Sequence, residues 1–348
     1  MRKTIVTLVA LCAAMTANAT ILRVSNVNGS TAPYSTIKAA HDAASEGDTI
    51  MVDGSETRYG LTEISKRVVL IGPGFWINEN GLVQEAAPAA IAEFLIHAGA
   101  AGTVIEGFKF EYNRTSLLTI NADNCIVRRC YFWNHSNYVA IRFSRDDVSS
   151  QSLPNPSGAV IQQNFFADCG INIYGLKYET EMTNVLISNN IFVNNGGGYE
   201  DISHLSNSQI EYNTMIGGEG NSGSYPCFGF IYSSSIEHNI IRRIKTDNKY
   251  EHFRPEIIRF ANVNDIDTNE WSDNIEKSPS SVEYKTDKDI LELEAIKEYS
   301  ENYGAFAGDS PYVISGIPSA PVIEDLVVPT TVEAGSKMKV TIKVGIQK

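Results

Sequence analysis

Five short stretches of the chain echo one another: VRRC (127–130), IQQN (161–164), ISNN (187–190), IEYN (210–213) and IEHN (236–239). Each sets an apolar residue three positions before an Asn, or before a Cys in the first copy. Phe132, Phe166, Phe192, Met215 or Ile241 follows two residues later. VIEGFKF at 104–110 is a slightly shifted earlier copy. From Gly107 through Cys130, Asn164, Asn190, Asn213 and Asn239 the intervals are 23, 34, 26, 23 and 26 residues. A unit of that length cannot bury its own apolar face and must stack on its neighbours, which makes the chain a solenoid.

Between the copies lie strand-like runs: LLTIN (117–121), AIRFS (140–144), INIYG (171–175), DISHL (201–205), FGFIY (228–232) and IIRFA (257–261). Each coil therefore reads as strand, turn, strand, Asn, strand and a loop of variable length. Three short strands per coil, stacked at about 4.8 Å, give an all-β, single-stranded parallel β-helix whose interior repeats one residue type per position.

The first and last parts of the chain carry a resemblance. YSTIKAAHDAASEGDTIMVDGS (34–55) and KRVVLIGPG (66–74) are similar to the opening segment of many right-handed parallel β-helix proteins of the pectate-lyase-like superfamily. GAFAGDSPYVISGIPSAP (304–321) resembles the closing segment of secreted β-helix proteins from Gram-negative bacteria. The resemblance covers roughly residues 20–325 and implies a fold rather than a reaction.

Physically, the opening segment predicts an amphipathic helix over the first coil, with Ser35 as N-cap, Ile37, Ala40 and Ala44 on one face, and Gly47 ending it. KDILELEAIKEYSEN (288–302) fits either a strand or a helix and is assigned to cap structure. After Pro321, alternating apolar residues suggest two or three strands, too few to bury a core of their own. The expected organisation is a signal segment at 1–19, the solenoid with its N-terminal cap at 20–310, and a C-terminal β tail at 311–348 packed on the solenoid.

Arg2 and Lys3, the apolar run Thr4 to Ala14 and Ala17-Asn18-Ala19 read as an export signal. A lipidated Cys12 ranks second, because Leu11 is too large for the preceding position. The expected location is periplasmic, cell-surface or extracellular. Without Arg2 and Lys3, 26 basic residues face 41 acidic ones, a net −15. Such a surface repels nucleic acid and anionic lipid. Cys125, Cys130, Cys169 and Cys227 are even in number, but their places in different coils separate them too far for disulfides, so free buried thiols are expected.

The Asn ladder reads as architecture, since an internal stack satisfies its amides without a ligand. The sharp bends are expected to place the ladder Asn in left-handed backbone conformations.

Chemistry is sought on the strand that begins each coil, whose outward residues form the polysaccharide groove in the enzymes this chain resembles. If Ile141, Phe143, Ile171 and Ile173 point inward, Arg142, Asn172 and Tyr174 point outward. The following coils add Asp201 or His204, then Phe230 and Tyr232, then Arg259. A row of cations, amides and aromatics suits a sugar chain; the plain alternative is a solvated sheet face. Long loops at 144–158, 175–184, 217–227 and 246–256 flank this face. They make Arg145, Asp146, Asp147, Lys177, Tyr178, Glu179, Glu200, Asp201 and His204 the catalytic candidates.

A uronate lyase would use Arg142, Lys177 or His204 as base and Glu200 with Asp201 to hold Ca²⁺. A glycosidase would draw its carboxylates from Asp146, Asp147 and Asp201. Neither the Asp and His-Gly motifs of polygalacturonases nor the Arg-bearing signatures of pectate lyases are present. The expected function is binding or processing of an extracellular polysaccharide or cell-surface glycan. A non-catalytic surface module and a Ca²⁺-dependent uronate lyase are the alternatives.

Overall fold

The computed structural model describes residues 19–81, 89–111, 116–133, 139–144, 156–169, 171–175, 182–193, 201–217, 228–242, 244–246, 249–251, 270–278, 282–319, 322–327 and 340–345. Residues 1–18 of the signal segment lie outside this set, as does Cys227.

Among the described residues, the solenoid strands fall into three parallel sheets, beside two antiparallel pairs, Ile244–Thr246 with Lys249–Glu251 and Val322–Val327 with Thr341–Gly345. Sheet I has ten strands, from Ile21–Val24 to Glu270–Ser272; sheet II has seven, from Lys109–Glu111 to Ile275–Ser278; sheet III has eight, beginning at Gly60–Ile64. Each complete coil passes from sheet I to II to III and then rejoins sheet I one level up, so the strands pair in parallel with the coils before and after. This is a parallel β-helix. Its interior follows from alternation: Ile105, Val127, Ile161, Ile187, Ile210 and Ile236 fill one column of sheet I and are fully buried. In sheet II the rings of Phe110, Phe132, Phe166 and Phe192 stack with centroids 4.6, 4.9 and 4.8 Å apart. Each buried ring contributes about 1.5–3 kcal/mol through apolar burial, and each stacked pair about 1 kcal/mol more.

The Asn ladder forms and extends one coil further than expected. The Nδ2 groups of Asn164, Asn190, Asn213 and Asn239 donate to the Oδ1 of Asn190, Asn213, Asn239 and Asn274 at 2.9–3.0 Å. Cys130 ends the ladder, its backbone N–H donating to Asn164 Oδ1. One expectation is corrected: the left-handed residue is not the ladder Asn but the one before it, Arg129, Gln163, Asn189, Tyr212, His238 or Asp273, with φ between 48° and 58°. That placement turns the ladder amide inward and the preceding side chain outward.

Those outward side chains hold a strap. Residues 304–319 run down the solenoid: Gly304 N–H donates to His238 O, Asn189 Nδ2 to the carbonyls of Ala305 and Ala307, and Gln163 Nε2 to those of Ser310 and Pro311. Arg129 donates to Ile317 O and Ser319 Oγ. Two short helices, α1 (Asp287–Glu292) and α2 (Glu294–Lys297), precede the strap. The helical period wins over the strand one there: Ile290 and Ile296 join Tyr131, Phe165, Ile191, Ile216 and Ile240 in a second apolar cluster over the outer face of sheet II.

The N-terminal helix spans Ile37–Ala43 and buries Ile37 and Ala40. Its N-cap is Thr36 rather than Ser35, because Thr36 has the extended backbone a cap needs and its Oγ1 accepts from Ala39 N–H at 3.1 Å. In the tail, Val322–Val327 pairs antiparallel with Thr341–Gly345. Cys125, Cys130 and Cys169 are buried, Cys125 and Cys130 as free thiols that burial pushes up to about 12.

Candidate functional site

Sheet III is the sheet of the coil-opening strands, and its register decides which side chains share its outer face. Leu118, Ile141, Ile173 and Ile202 point inward. The residues flanking them form two rows by register. One row places Leu95, Thr119, Arg142, Tyr174, Ser203 and Gly229 on consecutive strands. The parallel row places Glu93, Leu117, Ala140, Asn172 and Asp201 side by side. Its described side chains are nearly solvent-free: Glu93 is 8% exposed, Leu117 1% and Asp201 0%. Leu95, Thr119 and Arg142 are half-buried while Ser203 is 1% exposed, so the first row is accessible at its Leu95–Arg142 end.

The sheet is broken at one point. Ile171–Gly175 pairs with Ile202 and Ser203, whereas Met182–Thr183 pairs with Leu205 and Ser206 on the same neighbouring strand. His204 falls between these two pairings. It has φ 65°, a conformation that non-glycine residues adopt rarely. This left-handed residue lets Ile202 and Leu205 both be buried although three residues apart, with no shift of register against Phe228–Tyr232, and Ser203 Oγ lies 2.6 Å from His204 Nδ1. Strained residues concentrate where a fold serves a function.

Of the expected site residues, Arg142 and Tyr174 share one row by register. Asn172 and Asp201 are neighbours in the row beside it, where Asp201 is buried, and the left-handed His204 follows Ser203. Tyr232 pairs with Ser206, beyond His204. Asp146, Asp147, Lys177, Glu200 and Arg259 lie outside the described residues, as do Arg145, Tyr178 and Glu179. The insertion that carries Lys177, Tyr178 and Glu179 departs and returns directly beside Ser203 and Leu205. Among the described residues no three His, Cys, Asp or Glu side chains converge as a metal site requires. Of the residues proposed to hold Ca²⁺, Asp201 is in place and buried, while Glu200 falls outside the set.

Ser203 and Thr119 were not singled out from sequence. Plain alternation through DISHL sends Asp201, Ser203 and Leu205 to one face. The three-residue spacing of Ile202 and Leu205 was the available sign of the left-handed residue between them.

No family model matches the chain, and no curated protein does. Among solved structures, a pectin methylesterase from Aspergillus niger in deglycosylated form aligns over 82% of this chain and 97% of that one, at 13% identity and a TM-score of 0.33. Likeness at that level carries no activity across, and the fold stands on the strand pairing described above. No helix among the described residues is long and apolar enough to cross a membrane.

Proposed function

We propose that this is an exported β-helix protein of the pectate-lyase-like kind that binds an extracellular polysaccharide along the outer face of sheet III. The observation that carries this reading is the register of Thr119, Arg142, Tyr174 and Ser203, one residue per coil in a single row beside an interrupted strand. Regular spacing suits a polymer with a regular repeat. A guanidinium there offers fixed donors to hydroxyl or carboxylate groups. The net charge of −15 keeps nonspecific contacts with anionic polymers weak, so binding rests on this local chemistry.

A second reading has its own observation. Ser203 Oγ and His204 Nδ1, 2.6 Å apart, are a nucleophile and base within proton-transfer reach. They would serve hydrolysis of acyl esters on the same polymer. The serine oxygen would attack the acyl carbon as its proton passed to the imidazole, the sugar alcohol would leave with that proton, and water would release the acid. Ser203 is only 1% exposed, which favours binding over hydrolysis.

A glycan array probed with the mature protein tests the first reading, and absence of any hit across plant, algal and host glycans would sink it in favour of a non-catalytic scaffold. Acid release from acetylated polysaccharide, lost in Ser203→Ala, would establish the second.

A further inference from the structure

Sheet II begins at Lys109–Glu111. In the coil before it, sheet II is met only at Ala90 and Ile91 among the described residues: Ile91 bridges to Lys109, and Lys109 N–H donates to Ala90 O. Residues 72–74 follow the next coil's turn, Gly72 N–H donating to Glu106 O and Gly74 N–H to Gly107 O, and the chain then passes outward to Ser315. A cavity of about 390 Å³ opens there, walled by Phe75, Trp76 and Tyr131 and rimmed by Glu56, Glu79 and Lys109.

The aromatic wall is fixed in advance. Trp76 has φ 50°, strained for a large side chain. Phe75 N–H donates to Ser315 O, Ser315 Oγ donates to Trp76 O at 3.1 Å, and Asn80 Nδ2 donates to both Ser315 Oγ and Asp287 Oδ1. Ser315 is itself left-handed, with φ 62°. The indole packs 4.5 Å from the Tyr131 ring and edge-on to Phe165. Two strained residues tied back to back to a buried carboxylate are more than is needed to close a turn, and they hold one face of the cavity rigid.

The charges around the cavity select what enters. Glu56 and Glu79 are exposed carboxylates, while Lys109 is engaged by Glu111 and lies 5.4 Å over the Tyr131 ring. The lining thus has two carboxylates and a single, already paired cation. A uronate would be repelled, whereas an uncharged sugar ring could lay its C–H face on the half-buried Trp76 indole, backed by the buried Phe75 and Tyr131, and donate its hydroxyls to the two carboxylates. We infer that this cavity binds an uncharged hexopyranose unit, at a site separate from sheet III and independent of the function proposed for it.

Calorimetric titration of the whole protein with cellohexaose, mannohexaose and galactohexaose, and with hexagalacturonate as the acidic counterpart, tests this. The expected result is saturable binding of at least one neutral hexaose, weakened about tenfold in Trp76→Ala and unchanged in Lys38→Ala on the exposed face of the N-terminal helix. Since Trp76 also packs on Phe165, the exposed pair Glu56→Gln and Glu79→Gln provides a second variant. It is expected to weaken neutral sugars and strengthen hexagalacturonate. The inference is overturned if no neutral hexaose binds, if hexagalacturonate binds the wild type as tightly, if Lys38→Ala abolishes binding, or if neither cavity variant changes it.

Discussion

Asn190 shows how much of the solenoid depends on one side chain. Its Oδ1 accepts from the backbone N–H and Nδ2 of Asn164, and its own Nδ2 donates to Ile161 O and Asn213 Oδ1. Asn190→Ala leaves four buried groups short of a partner, and the expected loss is at least about 3 kcal/mol in urea unfolding. Asp287 makes a different prediction. Burial pushes its carboxyl above the ordinary carboxylate range, against the hydrogen bonds it accepts from Ser315 N–H, Tyr312 Oη–H and Asn80 Nδ2–H. The folded chain therefore keeps a proton that the unfolded chain releases near pH ~4. That stabilisation is fully present below this pH and is lost as pH rises toward the folded value. Urea midpoints should fall between pH 4 and neutrality in the wild type, and fall less in Asp287→Asn; equal slopes would remove Asp287 as the cause. The ladder residues were readable because every coil imposes the same demand on the same position. Arg129, Gln163, Asn189, Tyr212 and His238 were not, since the backbone at these sites is common to all but each side chain answers to a different part of the strap.

At the scale of elements, repetition made the interior strands readable, and what happens only once stayed hidden. The strap of residues 304–319 contacts coils far away in sequence, so no local pattern announces it. Asn189→Ala, which removes the donors to Ala305 O and Ala307 O, is expected to raise amide hydrogen exchange across 304–316 while the ladder amides stay protected. Equal exchange across 304–316 in Asn189→Ala and the wild type would show that the strap is held elsewhere. The interrupted strand of sheet III was half readable. Register places Arg142, Tyr174 and Ser203 in one row, as alternation through Ile202 requires, whereas the left-handed His204 takes Leu205 out of that alternation and into the core. The Trp76 cavity draws on residues 55–56, 75–79, 109 and 131, a combination that only the stacking of coils brings together.

The whole molecule is a rigid stack whose outer faces have different fates. Sheet II is covered by α1, α2 and the strap, which buries a second apolar cluster, and sheet III keeps a half-buried row beside a break in its strands. A solenoid of this kind holds its surface residues at fixed spacing, so ligand selection falls to side chains such as Arg142 rather than to induced movement. The most direct test of that claim is the affinity of Arg142→Ala for the polysaccharide that the wild type selects, measured by calorimetry at fixed salt. Loss of about tenfold or more, from removal of a charge-assisted contact, with an unchanged urea midpoint, is the predicted result. Equal affinity of variant and wild type would contradict a binding site on the outer face of sheet III.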